Sequence, residues 1–261
     1  MKTHFATSLD STRIAFDVSG AGTPILLLHG GGGSRIDWHE GGYVARLQDE
    51  FTVIAVDLRG HGESDKPANA AFYTTEKMGQ DLLAVADVCE MERFILCGYS
   101  FGGNVGRYLA ACSDRVCKMV MLGNRLSGAS VEHRQFIFDF RVRWEPIVKA
   151  ARGGVFDPKS LSPKDQEDIG QLGFPGELLP SVLAWSTAML DWGTITPADL
   201  RSPTLWLIGS ENDKALESYR EHEEVIPDSK VQVHILEGLN HEQEFNEIDK
   251  VLPVILDFVR S

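Results

Sequence analysis

No stretch of this chain approaches the roughly 18 apolar residues that a helix needs to cross a bilayer, so a membrane-spanning role is set aside. Its four cysteines, Cys89, Cys97, Cys112 and Cys117, show no C-x-x-C spacing. That leaves neither a zinc site nor a redox pair to build on and favours thiols that pack as small apolar groups. Basic residues are in the minority: 25 Lys and Arg stand against 38 Asp and Glu, for a formal net charge of -13. A nucleic-acid ligand requires a basic stripe to neutralise phosphates, and none is present; the acidic excess bears on solubility instead. The nucleotide-cradling pattern G-x-x-x-x-G-K-[ST] is also missing. No group of His, Cys, Asp and Glu has metal-ligand spacing, so neither a metal ion nor a cofactor is expected, and the remaining partner is a small-molecule substrate. Residues 1–6 lack the apolar centre of a secretory leader, and a cytoplasmic location is the resulting expectation.

What the 261 residues do contain is an alternation of short apolar runs with helical patterns, the signature of a mostly parallel sheet covered on both faces, an α/β fold. An antiparallel pair at 4–8 and 13–18 opens the sheet. Further strands at 25–28, 51–56, 94–97, 118–122, 204–208 and 231–236 bring the expected total to about eight. Met78, Leu82, Val85 and Cys89 mark one helix face, and Ile248, Leu252, Ile255 and Val259 another. The alternation breaks at 123–197, where Pro158, Pro163, Pro175 and Pro180 punctuate helix-like blocks. The expected organisation is therefore a core of 1–122 and 198–261, with a helical insertion at 123–197 after the sixth strand. Within the insertion Phe136, Phe140 and Trp144, and separately Trp185, Met189 and Trp192, form helical stripes. Most of each stripe should pack on the core, with a minority facing substrate.

Three loops carry chemistry. Gly98-Tyr99-Ser100-Phe101-Gly102 lies between an apolar run and a helix-like stretch. A serine hydroxyl becomes a useful nucleophile when a sharp strand-to-helix turn projects it past the sheet and frees the next backbone N–H, and flanking glycines relieve the crowding. Upstream, 25–28 runs into His29-Gly30-Gly31-Gly32-Gly33-Ser34, a loop able to present bare N–H groups to an oxyanion. A third loop, Asp57-Leu58-Arg59-Gly60-His61-Gly62-Glu63-Ser64, ends another buried-type strand.

With Gly238-Leu239-Asn240-His241 near the end, these stretches resemble the α/β-hydrolase superfamily and occur in that family's order. The stretch 29–38 is similar to the glycine-rich variety of small esterase-like and cofactor-free haloperoxidase-like members. The resemblance implies an α/β-hydrolase sheet whose insertion forms a helical cap over the carboxyl ends of the strands, the edge where open α/β sheets bind ligands. It also implies a Ser–acid–His relay. The elbow carries Ser where dehalogenases and epoxide hydrolases of this fold carry Asp.

A base is still required, and His241 sits on a loop after the last expected strand, at the same edge as Ser100. A neutral imidazole there can take the serine proton and return it to the leaving group. The acid is expected after 204–208, where Glu211, Asn212 and Asp213 follow Gly209. The family's usual position for it, three residues past the glycine, holds Asn212, so Asp213 is the expected acid and Glu211 the fallback. Backbone N–H groups of Phe101 and Gly31 should form the oxyanion hole. Substrate contacts are expected from His29, Gly30, Tyr99, Phe136, Phe140, Trp144, Trp185, Met189 and Trp192. The resulting expectation is a cofactor-independent serine hydrolase acting on an ester or lactone of small to medium, partly apolar character. Perhydrolase or haloperoxidase-like activity, a cofactor-free oxygenase or lyase, and a ligand-binding protein with a vestigial triad are the alternatives.

Overall fold

Apolar residues in the central strands alternate between two cores. Leu26, Leu28, Ile54, Val56, Leu96 and Met119 join one buried cluster, while Ile25, Leu27, Val53, Ile95, Cys97 and Val120 join the other. Successive side chains of a strand point to opposite faces, so continuous apolar runs mean a sheet covered on both sides. The computed structural model describes residues 2–126, 128–150 and 156–261. Its strands are β1 (His4–Thr7), β2 (Arg13–Ser19), β3 (Thr23–Leu28), β4 (Phe51–Val56), β5 (Phe94–Tyr99), β6 (Val116–Leu122), β7 (Thr204–Gly209) and β8 (Val231–Leu236). They form one eight-stranded sheet in the order β1-β2-β4-β3-β5-β6-β7-β8. The pairs β1·β2 and β2·β4 are antiparallel, and the pairs from β4 through β3 to β8 are parallel. The first strand ends a residue before expectation because Ser8 turns, its N–H donating to the Thr12 carbonyl at 2.9 Å.

The sheet order places β3 between β4 and β5, so the chain leaves β3 to one side, returns, and crosses to the other. Such a switch opens a crevice at the carboxyl ends of the two neighbouring strands. Here Leu28 pairs with Gly98, which puts the loops after β3 and β5 side by side.

Helices cover both faces: α1 (Ile36–Glu40), α2 (Tyr43–Leu47), α3 (Thr75–Val88), α4 (Phe101–Cys112), α5 (Val131–Lys149), α6 (Pro163–Gly170), α7 (Leu179–Met189), α8 (Asp213–His222), α9 (Gln243–Asn246) and α10 (Ile248–Arg260). Local sequence sets several starts. The Thr74 hydroxyl accepts from Lys77 N–H at 3.3 Å, and Ser130 accepts from His133 N–H at 3.2 Å, each satisfying one orphan donor of a first turn. Pro163 opens α6, where its missing N–H is harmless.

The described residues between β6 and β7 form α5, α6 and α7, with an apolar cluster of their own around Trp144, Ile169, Leu179 and Leu183. Helix α7 is shared, because Ala184 and Ala188 belong to the main core. A helix buried on two sides needs apolar residues around most of its circumference, which its sequence LPSVLAWSTAM supplies.

Two buried arginines brace the edge of the sheet. Arg35 meets Asp17 at 3.1 Å and also pairs with Asp57. Arg59 grips Asp81 through Nε at 2.6 Å and Nη2 at 2.5 Å, and reaches Asp10 at 2.9 Å. Both guanidinium groups lie inside the protein, a position tolerated only with charged partners.

Candidate active site

Ser100 stands between β5 and α4 at φ 49° and ψ -113°, a backbone conformation that ordinary L-residues avoid and that clusters at functional sites. The surroundings fix this strained turn. Gly102 N–H donates to the His29 carbonyl at 3.0 Å and Ser100 N–H to the Leu122 carbonyl at 2.9 Å. A Cβ on Gly98 would stand 2.5 Å from Gly103 N, and one on Gly102 would strike the Leu28 carbonyl, so the close approach of β3, β5 and α4 requires glycine at both places. Asn124 adds a side-chain hydrogen bond to the Ser100 carbonyl.

His241 follows β8 through a tight turn. The Asn240 side chain accepts from Glu242 N–H at 3.1 Å and Gln243 N–H at 3.0 Å, which starts the short helix α9. The Tyr99 ring stacks on the imidazole at 5.1 Å, and its hydroxyl donates to the His241 carbonyl at 2.9 Å. His241 Nε2 is thereby 3.1 Å from Ser100 Oγ. The structure brings the two expected residues into one hydrogen bond across 141 positions of sequence.

The third group is not the expected one. Asp213 is the first residue of α8 and is exposed, as is Glu211. The turn that closes with Asn212 N–H on the Gly209 carbonyl at 3.0 Å aims residue 212 at the imidazole. Residue 213 points outward on the helix. Asn212 caps α8, its Oδ1 accepting from Ala215 N–H at 3.2 Å, and this fixes its amide nitrogen on the opposite side. That nitrogen donates to Glu244 Oε1 and Oε2 at 3.0 and 2.9 Å. Gly209 N–H donates to Oε1 at 2.5 Å. Glu244 Oε2 then lies 3.1 Å from His241 Nδ1, and the Glu244 side chain is fully buried.

The correction is therefore Glu244 for Asp213 as the carboxylate against the imidazole. A carboxylate can only accept from Nδ1–H, so the ring carries its proton there and leaves Nε2 bare to accept from Ser100. Gly123 makes room for this arrangement. It sits at φ 69°, and a Cβ there would fall on the Glu244 carboxylate and within 2.8 Å of His241 Nδ1. The signal for Glu244 was its spacing: residues three apart on a helical turn are neighbours, and position 212 lacked an acid.

Phe101 follows the nucleophile directly, and a Cβ on Gly31 would stand 3.6 Å from the Phe101 Cβ. Phe101 opens α4, where first-turn N–H groups have no intrahelical acceptor, and Gly31 N–H makes no turn hydrogen bond among the described residues. Other expected contacts lie elsewhere. His29 is fully buried, with Nδ1 donating to the Gly30 carbonyl at 2.7 Å and Nε2 accepting from Leu58 N–H at 3.1 Å. It braces the loop and does not face a ligand, and burial pushes its pKa down. Its neighbour His61 is likewise buried, which lowers it to about 3. Trp144 packs inside the cluster between α5 and α7, where Phe140 leans on it. Phe136 is 63% exposed. Trp192 is buried and donates to the Tyr73 carbonyl at 2.8 Å, and Met189 packs against the main core. Trp185 reaches the glycine loop, its indole 3.2 Å from where a Gly31 Cβ would stand, and Gly30 and Tyr99 line a cleft of about 790 Å³.

A strained serine at a strand-to-helix turn, an imidazole behind it and a glycine loop beside it define a hydrolase-type site on an α/β sheet. The model of the alpha/beta hydrolase fold family matches residues 23–146, and the eight-stranded sheet with its covering helices is an α/β-hydrolase fold. An uncharacterised protein of Mycobacterium tuberculosis is 41% identical over 98 residues, which is 38% of this chain and 28% of that protein. The chain thus covers under a third of the length of that curated relative. A 3-oxoadipate enol-lactonase of Acinetobacter baylyi is 31% identical over 125 residues, 46% of this chain and 45% of the enzyme. Among solved structures, an esterase from Thermogutta terrifontis superposes with a TM-score of 0.78 over 100% of this chain and 98% of its own, at 24% identity. Among the described residues no helix is long and apolar enough to cross a membrane.

Proposed function

We propose that this protein is a serine hydrolase that opens an ester or lactone bond through an acyl-enzyme. The observation that carries the reading is the line from Ser100 Oγ to His241 Nε2 and from His241 Nδ1 to Glu244 Oε2, 3.1 Å at each step. Ser100 Oγ attacks the carbonyl carbon while its proton passes to His241 Nε2. The carbonyl oxygen, now negative, sits between the N–H groups of Phe101 and Gly31, donors already in place before charge develops. Glu244 holds the Nδ1–H tautomer and offsets the imidazolium charge, the service a buried carboxylate performs in such relays. The C–O bond then breaks, and the proton on Nε2 leaves with the alcohol oxygen. Water repeats the sequence: His241 takes its proton, its oxygen attacks the acyl carbon, and Ser100 leaves protonated.

Ser100 in place of Asp at the elbow speaks against epoxide and haloalkane opening. The vestigial-triad reading drew on the displaced Asp213, and the carboxylate of Glu244 3.1 Å from His241 Nδ1 speaks against it. A fluorophosphonate probe should label Ser100 stoichiometrically, and p-nitrophenyl acetate should be hydrolysed. Ser100→Ala should lose labelling entirely and turnover by about 10⁴-fold or more, with the melting temperature unchanged. Full turnover in Ser100→Ala after repurification would sink the proposal.

A further inference from the structure

Hydrolysis by such a relay has a direction. The imidazolium must hand its proton to the leaving oxygen, so the alcohol portion lies on the His241 side of the reacting carbon and the acyl portion on the opposite side. Different side chains flank Ser100 on its two sides: Tyr99 and His241 on one, Phe101 and Trp185 on the other. A cleft of about 790 Å³ runs from the glycine loop, Gly30 to Gly33, past Tyr99 to Glu242 and Asn246 in the segment after His241. Tyr99 is the ring stacked on the imidazole, and Glu242 is its sequence neighbour. On the other side stands Trp185. The edge of its indole approaches to 3.2 Å the point where a Cβ of Gly31 would stand. Its ring packs on Phe101 at 4.7 Å and on His61 at 5.8 Å. The indole thus reaches from α7 to Gly31 and lies against the rings of Phe101 and His61.

Resting on the serine-hydrolase reading, we infer that Trp185 sets the acyl-group size. The substrate class is a short-chain acyl ester of a bulky, polar alcohol: the acyl group ends against the indole and the alcohol extends into the cleft. Asp37, Glu40 and Glu242 line that cleft with no Lys or Arg among its described lining residues, which suits hydroxyl-rich alcohols and disfavours anionic ones. Trp185 is a specificity-determining residue in this account.

Two ester series separate the two sides: p-nitrophenyl esters from acetate to octanoate, and acetates of alcohols of increasing bulk. The wild-type enzyme should favour acetate over octanoate by about 100-fold or more in kcat/KM, since a single excess methylene in a filled pocket is worth about 10–200-fold. Across the alcohol series it should stay nearly flat. Trp185→Ala should move the acyl optimum to longer chains and leave the alcohol profile in place. Trp185→Phe, which keeps an aromatic contact on Phe101, should move it part of the way and guards against misfolding of the alanine variant. A residue with a purely structural role would depress both series together, and that outcome, or an unchanged acyl profile in both variants, overturns the inference while ester turnover continues. Absence of turnover and of fluorophosphonate labelling in the wild-type enzyme overturns the serine-hydrolase reading and this inference with it.

Discussion

Buried carboxylates occur in two regions of this protein, and they are held in opposite ways. Asp81 and Asp57 at the sheet edge face guanidinium groups that never lose their charge, Arg59 and Arg35. Burial pushes the Asp81 carboxyl up while the Arg59 hydrogen bonds pull against it. Glu244, equally buried, has no arginine or lysine among its hydrogen-bond partners in the described residues. Its donors are the Gly209 amide, the Asn212 side chain and the imidazole of His241. A permanent cation would spend the carboxylate's field on a static pair. Neutral dipoles hold the group in place and leave that field directed at the imidazole, which the proposed relay charges during attack. One region uses buried charge for structure, and the other keeps it for chemistry.

Substitution should separate the two regions. The largest effect is expected at Glu244→Gln, with kcat reduced by up to about 10⁴-fold and little change in melting temperature, because Gly209 N–H keeps an oxygen acceptor. Asn212→Asp in that background returns a carboxylate to a site 3.3 Å from His241 Nδ1 and should recover about tenfold or more. Asp213→Asn and Glu211→Gln, both exposed, should stay within about twofold of wild type. Loss of turnover in Asp213→Asn with full activity in Glu244→Gln would reverse the assignment.

Next comes Asp81→Asn, which leaves Asp10 as the charged partner of Arg59 and should cost about 1–3 kcal/mol of stability. Denaturant titration reads that loss, while kcat of the folded fraction stays at the wild-type value. A collapse of kcat without a change in unfolding midpoint would erase the distinction between the regions.

The smallest effect at neutral pH concerns His61. Its pKa falls from 6.5 to about 3 on folding, so between those values the unfolded chain binds a proton that the folded one refuses. Stability from this group is complete above about pH 6.5 and declines as pH falls toward 3. His61→Phe keeps the ring packing on Phe101 and Trp185 and should flatten the acid limb of the stability curve relative to wild type. Identical slopes in the two proteins would show that His61 contributes nothing to acid sensitivity.

Much of the fold could be read in the sequence because its signals are local. Apolar runs located each strand to within two residues or so, and the glycines at 98 and 102 announced the turn that holds Ser100. His241 was legible from its place after β8. The acid was not, for a physical reason. Glu242, Glu244 and Glu247 are three glutamates in six residues with nothing local to tell them apart, and the packing of α9 against β7 buries the middle one. Asn212 occupied the position where an acid was sought, and its role as a clamp on a carboxylate from elsewhere depends on tertiary contact. The aromatic stripes misled similarly: periodicity placed Trp144 and Trp185 on helices, but which of them meets the glycine loop depends on how α5 and α7 pack.

His241 and Glu244 lie on a single turn, and main-chain tethers secure that turn at both ends: Tyr99 hydroxyl to the His241 carbonyl at 2.9 Å, and Tyr43 hydroxyl to the Phe245 carbonyl at 2.8 Å. Base and acid therefore travel as one cassette. When an acid comes from a separate loop, thermal motion can open two joints in the relay; here the short segment itself preserves one of them, and only the gap to Ser100 joins independently folded pieces. Alignment of the relay reduces to docking a single small part onto the end of the sheet, with Gly209 and Asn212 as the seat.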